Sequence, residues 1–122
     1  MQVFESWESP DGAARFCFSH SDEQFTTGVL ILRPGAELAR HNRPLAHENL
    51  LQITGKCRMT LTDEDGGNEQ INELEPGSSL RMEKGQWHVH ANPYHEVSTT
   101  LFKAEGDITA VMKVVRETMV KV

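Results

Sequence analysis

Residues 77–92 read GSSLRMEKGQWHVHAN, and the run that closes this stretch, Trp87 to Asn92, decides the reading of the fold. Residues two apart on a strand leave the same face, so His88, His90 and Asn92 point one way and Trp87, Val89 and Ala91 the other. A second stretch, residues 35–55, reads GAELARHNRPLAHENLLQITG. Here His41 and Arg43 share a face for the same reason, whereas His47 and Glu48 are adjacent and only one of them can point into a barrel. Five of the six histidines, His41, His47, His88, His90 and His95, fall in two short windows. Imidazole and carboxylate together suit divalent transition metals, and two histidines with one carboxylate leave coordination positions open for chemistry. His41, Glu48 and His88 make such a set.

Outward from these stretches the chain is a succession of short strand-like runs: Arg15 to Ser19, Phe25 to Arg33, Glu48 to Thr54, Lys56 to Thr62, Glu69 to Leu74, Ser78 to Met82, Trp87 to Ala91 and His95 to Ala104. Their spacing favours an all-β sandwich or barrel. Pro34-Gly35 and Pro76-Gly77 carry the signature of type II turns, and Asp65-Gly66-Gly67 supplies a hairpin loop. Within that hairpin Cys57, Met59 and Leu61 alternate with polar residues, the period of a strand with one buried face. Towards the carboxyl end Ile108, Val111, Met112, Val115 and Met119 recur at helical spacing behind Asp107, a candidate cap, which predicts a short amphipathic helix over about 107–120. Its apolar stripe reads as packing over the barrel and is assigned no chemistry.

The 122 residues suit a single domain over 1–122, and 38% hydrophobic with 25% charged residues excludes a disordered or fibrous chain. The apolar runs are far short of the ~20 residues that a membrane helix needs, and Met1 to Ser9 is acidic without an apolar signal core. A cytoplasmic protein with no membrane role is expected. The net charge of -6 repels phosphate backbones, and the Lys and Arg residues are scattered, so nucleic acid is not expected as a partner. Cys17 and Cys57 sit inside strand-like runs, far apart in sequence, and read as buried free thiols.

The spacing of residues 35–55 and 77–92 resembles the two signature motifs of the cupin superfamily. Gly35, His41, Glu48 and Gly55 fall at positions of the first motif, and Gly77, Gly85, His88 and Asn92 at positions of the second. Two departures stand out: Arg43 occupies the place of the first motif's second histidine, and Glu83 the place of a proline. The resemblance implies a double-stranded β-helix (jelly-roll) barrel, commonly a homodimer, with metal held at the barrel mouth by His41, Glu48 and His88. A guanidinium has no lone pair to donate, so Arg43 cannot complete that site.

Arg43 has two readings: it grips a carboxylate or phosphate on a ligand, or it forms an internal salt bridge with Glu48 or another acid in a barrel that has lost its metal. With Glu48 inward, Leu50 and Gln52 line the pocket side. Leu51 and Ile53 then face outward, onto a second apolar face that an amino-terminal strand, the helix or a second subunit must cover. One functional expectation is a metal-dependent isomerase, lyase or dioxygenase acting on a small polar or anionic molecule. Its metal would be Fe, Mn, Ni, Cu or Zn, Arg43 would orient the anion, and His90 or His47 would move protons. The other is a non-catalytic binding or sensor module that holds a small acid or sugar through Arg43, Gln52 and the histidines.

Overall fold

The computed structural model describes all of residues 1–122. Its elements are β1 (Glu5–Glu8), β2 (Ala14–Ser21), β3 (Phe25–Leu32), β4 (Ala46–Thr54), β5 (Cys57–Thr62), β6 (Gln70–Leu74), β7 (Ser79–Met82), β8 (Trp87–Ala91), β9 (Ser98–Gly106), α1 (Thr109–Thr118) and β10 (Val120–Lys121). Seven strands form one antiparallel sheet in the order β10-β1-β2-β3-β9-β4-β7, and three form a second, β6-β5-β8. Residues 35–41 run beside β8 as an irregular fourth member of the small sheet. Leu38 N–H donates to the His90 carbonyl (2.9 Å), and His41 and His88 exchange both backbone hydrogen bonds (3.0 and 2.9 Å). That register sets the His41 side chain beside His88.

The turns follow the expected chemistry, with Gly35 at φ 85° and Gly77 at φ 90°, a left-handed conformation open to glycine at little cost. β8 spans the expected residues, but β9 begins at Ser98 rather than His95. The Asn92 side chain is the reason. Its amide donates to the carbonyls of Leu32 (3.0 Å) and Glu96 (2.7 Å) and its oxygen accepts from Tyr94 N–H (3.1 Å), which folds residues 92–96 into a turn. The helix is shorter than expected, and its first flanking residue is Ile108. Asp107 stands one residue earlier, where its carboxylate accepts from the Thr109 N–H (2.9 Å) and hydroxyl (2.7 Å).

β1 and β10 are absent from the sequence reading. They pair with each other and extend the large sheet past β2, with Trp7 opposite Lys121. Arg116 on α1 clasps Glu5 on β1 through two hydrogen bonds (2.6 and 2.8 Å), and Trp7 donates to the same carboxylate (2.6 Å). The helix therefore lies across the open end of the barrel, with Met112 and Val115 packed against Phe18. No helix is long and apolar enough to cross a membrane.

Parity resolves as the pattern of β4 requires: Ala46, Glu48, Leu50 and Gln52 face the interior, while Leu51 and Ile53 are exposed. On the outer face Cys17, Val29, Leu101 and Leu51 stand opposite one another across β2, β3, β9 and β4. Neither β1 nor α1 covers this row, because β1 extends the sheet sideways and α1 packs on the opposite side.

Candidate functional site

The barrel mouth encloses a cavity of about 80 Å³. Phe16 and Phe18 from β2, Phe102 from β9 and Met112 and Val115 from α1 form its apolar end. His41, Arg43, Glu48, His88, His90 and Thr100 form its polar end. The helical stripe that the sequence marks only as packing is thus a wall of the cavity. Thr100 and the three phenylalanines are also new to the site; their alternation marks inward faces, but nothing local tells which inward residues reach the mouth.

The protonation of the histidines follows from their partners. His41 Nδ1 is 2.7 Å from the Ala39 carbonyl and His88 Nδ1 is 2.9 Å from the Gln86 carbonyl. A carbonyl can only accept, so both rings carry their proton on Nδ1 and present a bare Nε2 lone pair. The two rings meet edge to face, with centroids 4.3 Å apart. His90 has the opposite tautomer. Thr100 donates its hydroxyl proton to Gln52 Oε1 (2.6 Å), leaving His90 Nε2–H to donate to the Thr100 oxygen across a long 3.4 Å.

Burial keeps these rings neutral. It pushes His41 down to about 3, with the Arg43 charge adding to the effect, and His90 down to about 3, with His88 beside it. His88 is lowered by burial against the opposing pull of Glu48. Arg43 is also lowered by burial, and Glu48 offsets part of that. Arg43 Nε stands 3.2 Å from Glu48 Oε1, and Nη1 donates to the Asn42 carbonyl (3.2 Å). The arginine's own carbonyl accepts from Gly85 N–H (3.0 Å), which ties the loop to the turn before β8.

Of the expected metal ligands, His41 and His88 stand together with bare nitrogens, but Glu48 faces the guanidinium instead of completing a set. No three His, Cys, Asp or Glu side chains converge closely enough to hold an ion. This arrangement does not fit a transition metal, since the group among the donors is a fixed cation without a lone pair. His90 lines the cavity as expected. With its conjugate acid so strong, it is a neutral ring near pH 7.

Gln52, read as a ligand contact, lies off the cavity wall. It is 1% exposed, and its amide donates to the carbonyls of Thr54 (2.9 Å) and Gly55 (3.2 Å) and to Ser98 Oγ (3.0 Å). His47 faces outward, with Nδ1 2.8 Å from Glu83 Oε2 but without a hydrogen bond, and His95 is exposed in the loop before β9. Neither reaches the cavity.

Neither a family model nor a curated protein sequence matches this chain. Solved structures do. The CENP-C cupin domain of Drosophila melanogaster superposes with a TM-score of 0.72 at 15% identity, over 85% of this chain and 76% of that one. An uncharacterised protein with a double-stranded β-helix domain from Klebsiella pneumoniae gives 0.70 at 17% identity, over 83% and 84%. Recombinant oxalate oxidase in complex with glycolate gives 0.62 at 14% identity, over 68% of this chain; the chain spans only 42% of that protein's length. At these identities the likeness concerns the fold, and it agrees with the spacing of the histidine motifs: the chain has a cupin-type fold, a double-stranded β-helix barrel with a short carboxyl-terminal helix.

Proposed function

We propose that this barrel binds a small molecule bearing an anionic group, using Arg43 as the anchor and no transition metal. The observation that carries the reading is the Arg43–Glu48 pair, 3.2 Å apart with both side chains largely buried, lining the same cavity as two imidazoles whose lone pairs are free. A guanidinium with one amino group tied to the Asn42 carbonyl keeps further N–H groups for a carboxylate or phosphate. The test combines plasma mass spectrometry of untagged protein with calorimetric titration of small carboxylates. Substoichiometric metal and carboxylate binding that disappears in Arg43→Met support the reading. Near-stoichiometric metal that is lost in a His41→Ala, His88→Ala double variant overturns it.

That second outcome belongs to a metal-dependent enzyme, a reading favoured by one feature. With both Nδ1 protons on carbonyls, His41 and His88 already hold the tautomer that a ligating histidine uses. It requires Glu48 to be released from Arg43. We also propose a homodimer joined through the outer row of Cys17, Val29, Leu101 and Leu51, since no element of one copy covers it. Sedimentation equilibrium gives twice the chain mass on this reading and the monomer mass in a Leu51→Glu, Leu101→Glu variant; a monomeric parent overturns it.

A further inference from the structure

The polar end of the cavity is balanced in charge. Arg43 contributes a positive charge, Glu48 a negative one, and the three imidazoles are neutral rings. A simple anion entering here draws Arg43 towards itself and leaves the Glu48 carboxylate without its counter-charge in a mostly closed site. An unpaired buried charge is among the costliest arrangements in a protein. A ligand carrying both charges avoids that cost, because the ion pair opens into two matched pairs.

Acceptors point the same way. His41 Nε2 and His88 Nε2 have no proton and no protein partner, His88 is only 3% exposed, and the Glu48 carboxylate faces the same space. These are three acceptors beside one guanidinium donor. An ammonium group has three N–H donors, whereas a hydroxyl has one and would leave acceptors unmatched. Resting on the anchor role of Arg43, we infer that the ligand is a small zwitterionic amino acid, its carboxylate on Arg43 and its ammonium among Glu48, His41 and His88.

The cavity limits its size. At about 80 Å³ the enclosed space is small and walled by Met112 and Val115 at its apolar end, so a short side chain is favoured over a long one. Phe16, Phe18 and Phe102 offer it an apolar contact.

The experiment is calorimetric titration of the full chain at pH 7.5 with alanine, lactate and propanoate, which share a carbon skeleton and differ only at C2. Glycine and 2-aminobutyrate, each with its hydroxy and unsubstituted acid, bracket the length. The amino acid of at least one length binds ten-fold or more tighter than its hydroxy and unsubstituted counterparts. Glu48→Gln removes the negative charge at constant shape, so it weakens the amino acid and strengthens the unsubstituted acid. A hydroxy or unsubstituted acid that binds the parent as tightly as its amino acid overturns the zwitterion and leaves Arg43 as an anion anchor. No binding by any of the acids overturns both.

Discussion

Arg43 and Glu48 keep 18% and 14% of their side-chain surface exposed, so each is the main compensation for the other's charge. Arg43→Met strands the partly exposed Glu48 and is expected to cost about 1–3 kcal/mol, whereas Arg43→Met combined with Glu48→Leu removes both charges and recovers most of that loss. Urea denaturation of the parent, both single variants and the double variant measures the coupling; additive losses contradict it. The spacing of the first motif put Arg43 and Glu48 at inward positions, where parity alone allowed either His47 or Glu48, and their salt bridge was one of the two readings open for Arg43. Gln52 was readable only halfway. Its inward face was correct, but the pairing of β4 with β9 shifts between Gln52 and Thr54, and the amide turns to the carbonyls freed there. A bulge depends on the partner strand and leaves no trace in local alternation. Gln52→Leu strands Thr100, Ser98 and those carbonyls, so a loss of about 2–4 kcal/mol is expected with ligand affinity unchanged. A change in affinity as large as the change in stability would place Gln52 back in the site.

At the scale of elements, α1 closes the barrel and is held by apolar contacts within and by Glu5 at its edge. Met112 is 1% exposed between Phe18 and the cavity, and Met112→Ala is expected to cost about 2–4 kcal/mol. It also lengthens the cavity, so the chain length that binds best shifts upward in a homologous acid series. The clasp adds a dependence on pH. Hydrogen bonds from Arg116, then Trp7, hold the Glu5 carboxyl below its ordinary value near 4.5, against the opposing effect of burial. A depressed carboxyl stabilises the fold fully above the unfolded value, and that contribution is lost as pH falls through the folded one. Glu5→Gln weakens the clasp by about 1 kcal/mol at pH 7. Hydrogen exchange in residues 109–118 then quickens at neutral pH, while the parent shows the same change only in acid. The helix was legible because its period differs from that of every strand before it. β1 and β10 were not, since four and two residues offer little alternation and pair across more than a hundred positions of chain.

For the whole molecule, the barrel stacks neutral imidazoles in a buried mouth, and that arrangement makes the fold sensitive to acid well above the range where carboxylates titrate. His90, 4% exposed, is pushed by burial down to about 3 against an ordinary value of 6.5. Between those values the unfolded chain binds a proton that the folded chain refuses. Stability from this ring is therefore complete above pH 6.5 and declines as pH falls towards 3. From pH 7 to pH 5 the loss is about 2 kcal/mol for a ring shifted this far. His41 adds to it in the same direction, less fully because it is only partly buried. His90→Gln keeps a polar amide near Thr100 but has nothing to titrate, so its stability should change less between the two pH values, by about that amount. Urea denaturation of chelator-treated parent and variant at pH 7 and pH 5 measures the difference. Equal losses in the two proteins would mean that His90 already accepts a proton in the folded barrel, and the closed mouth with its neutral imidazoles would have to be an open one.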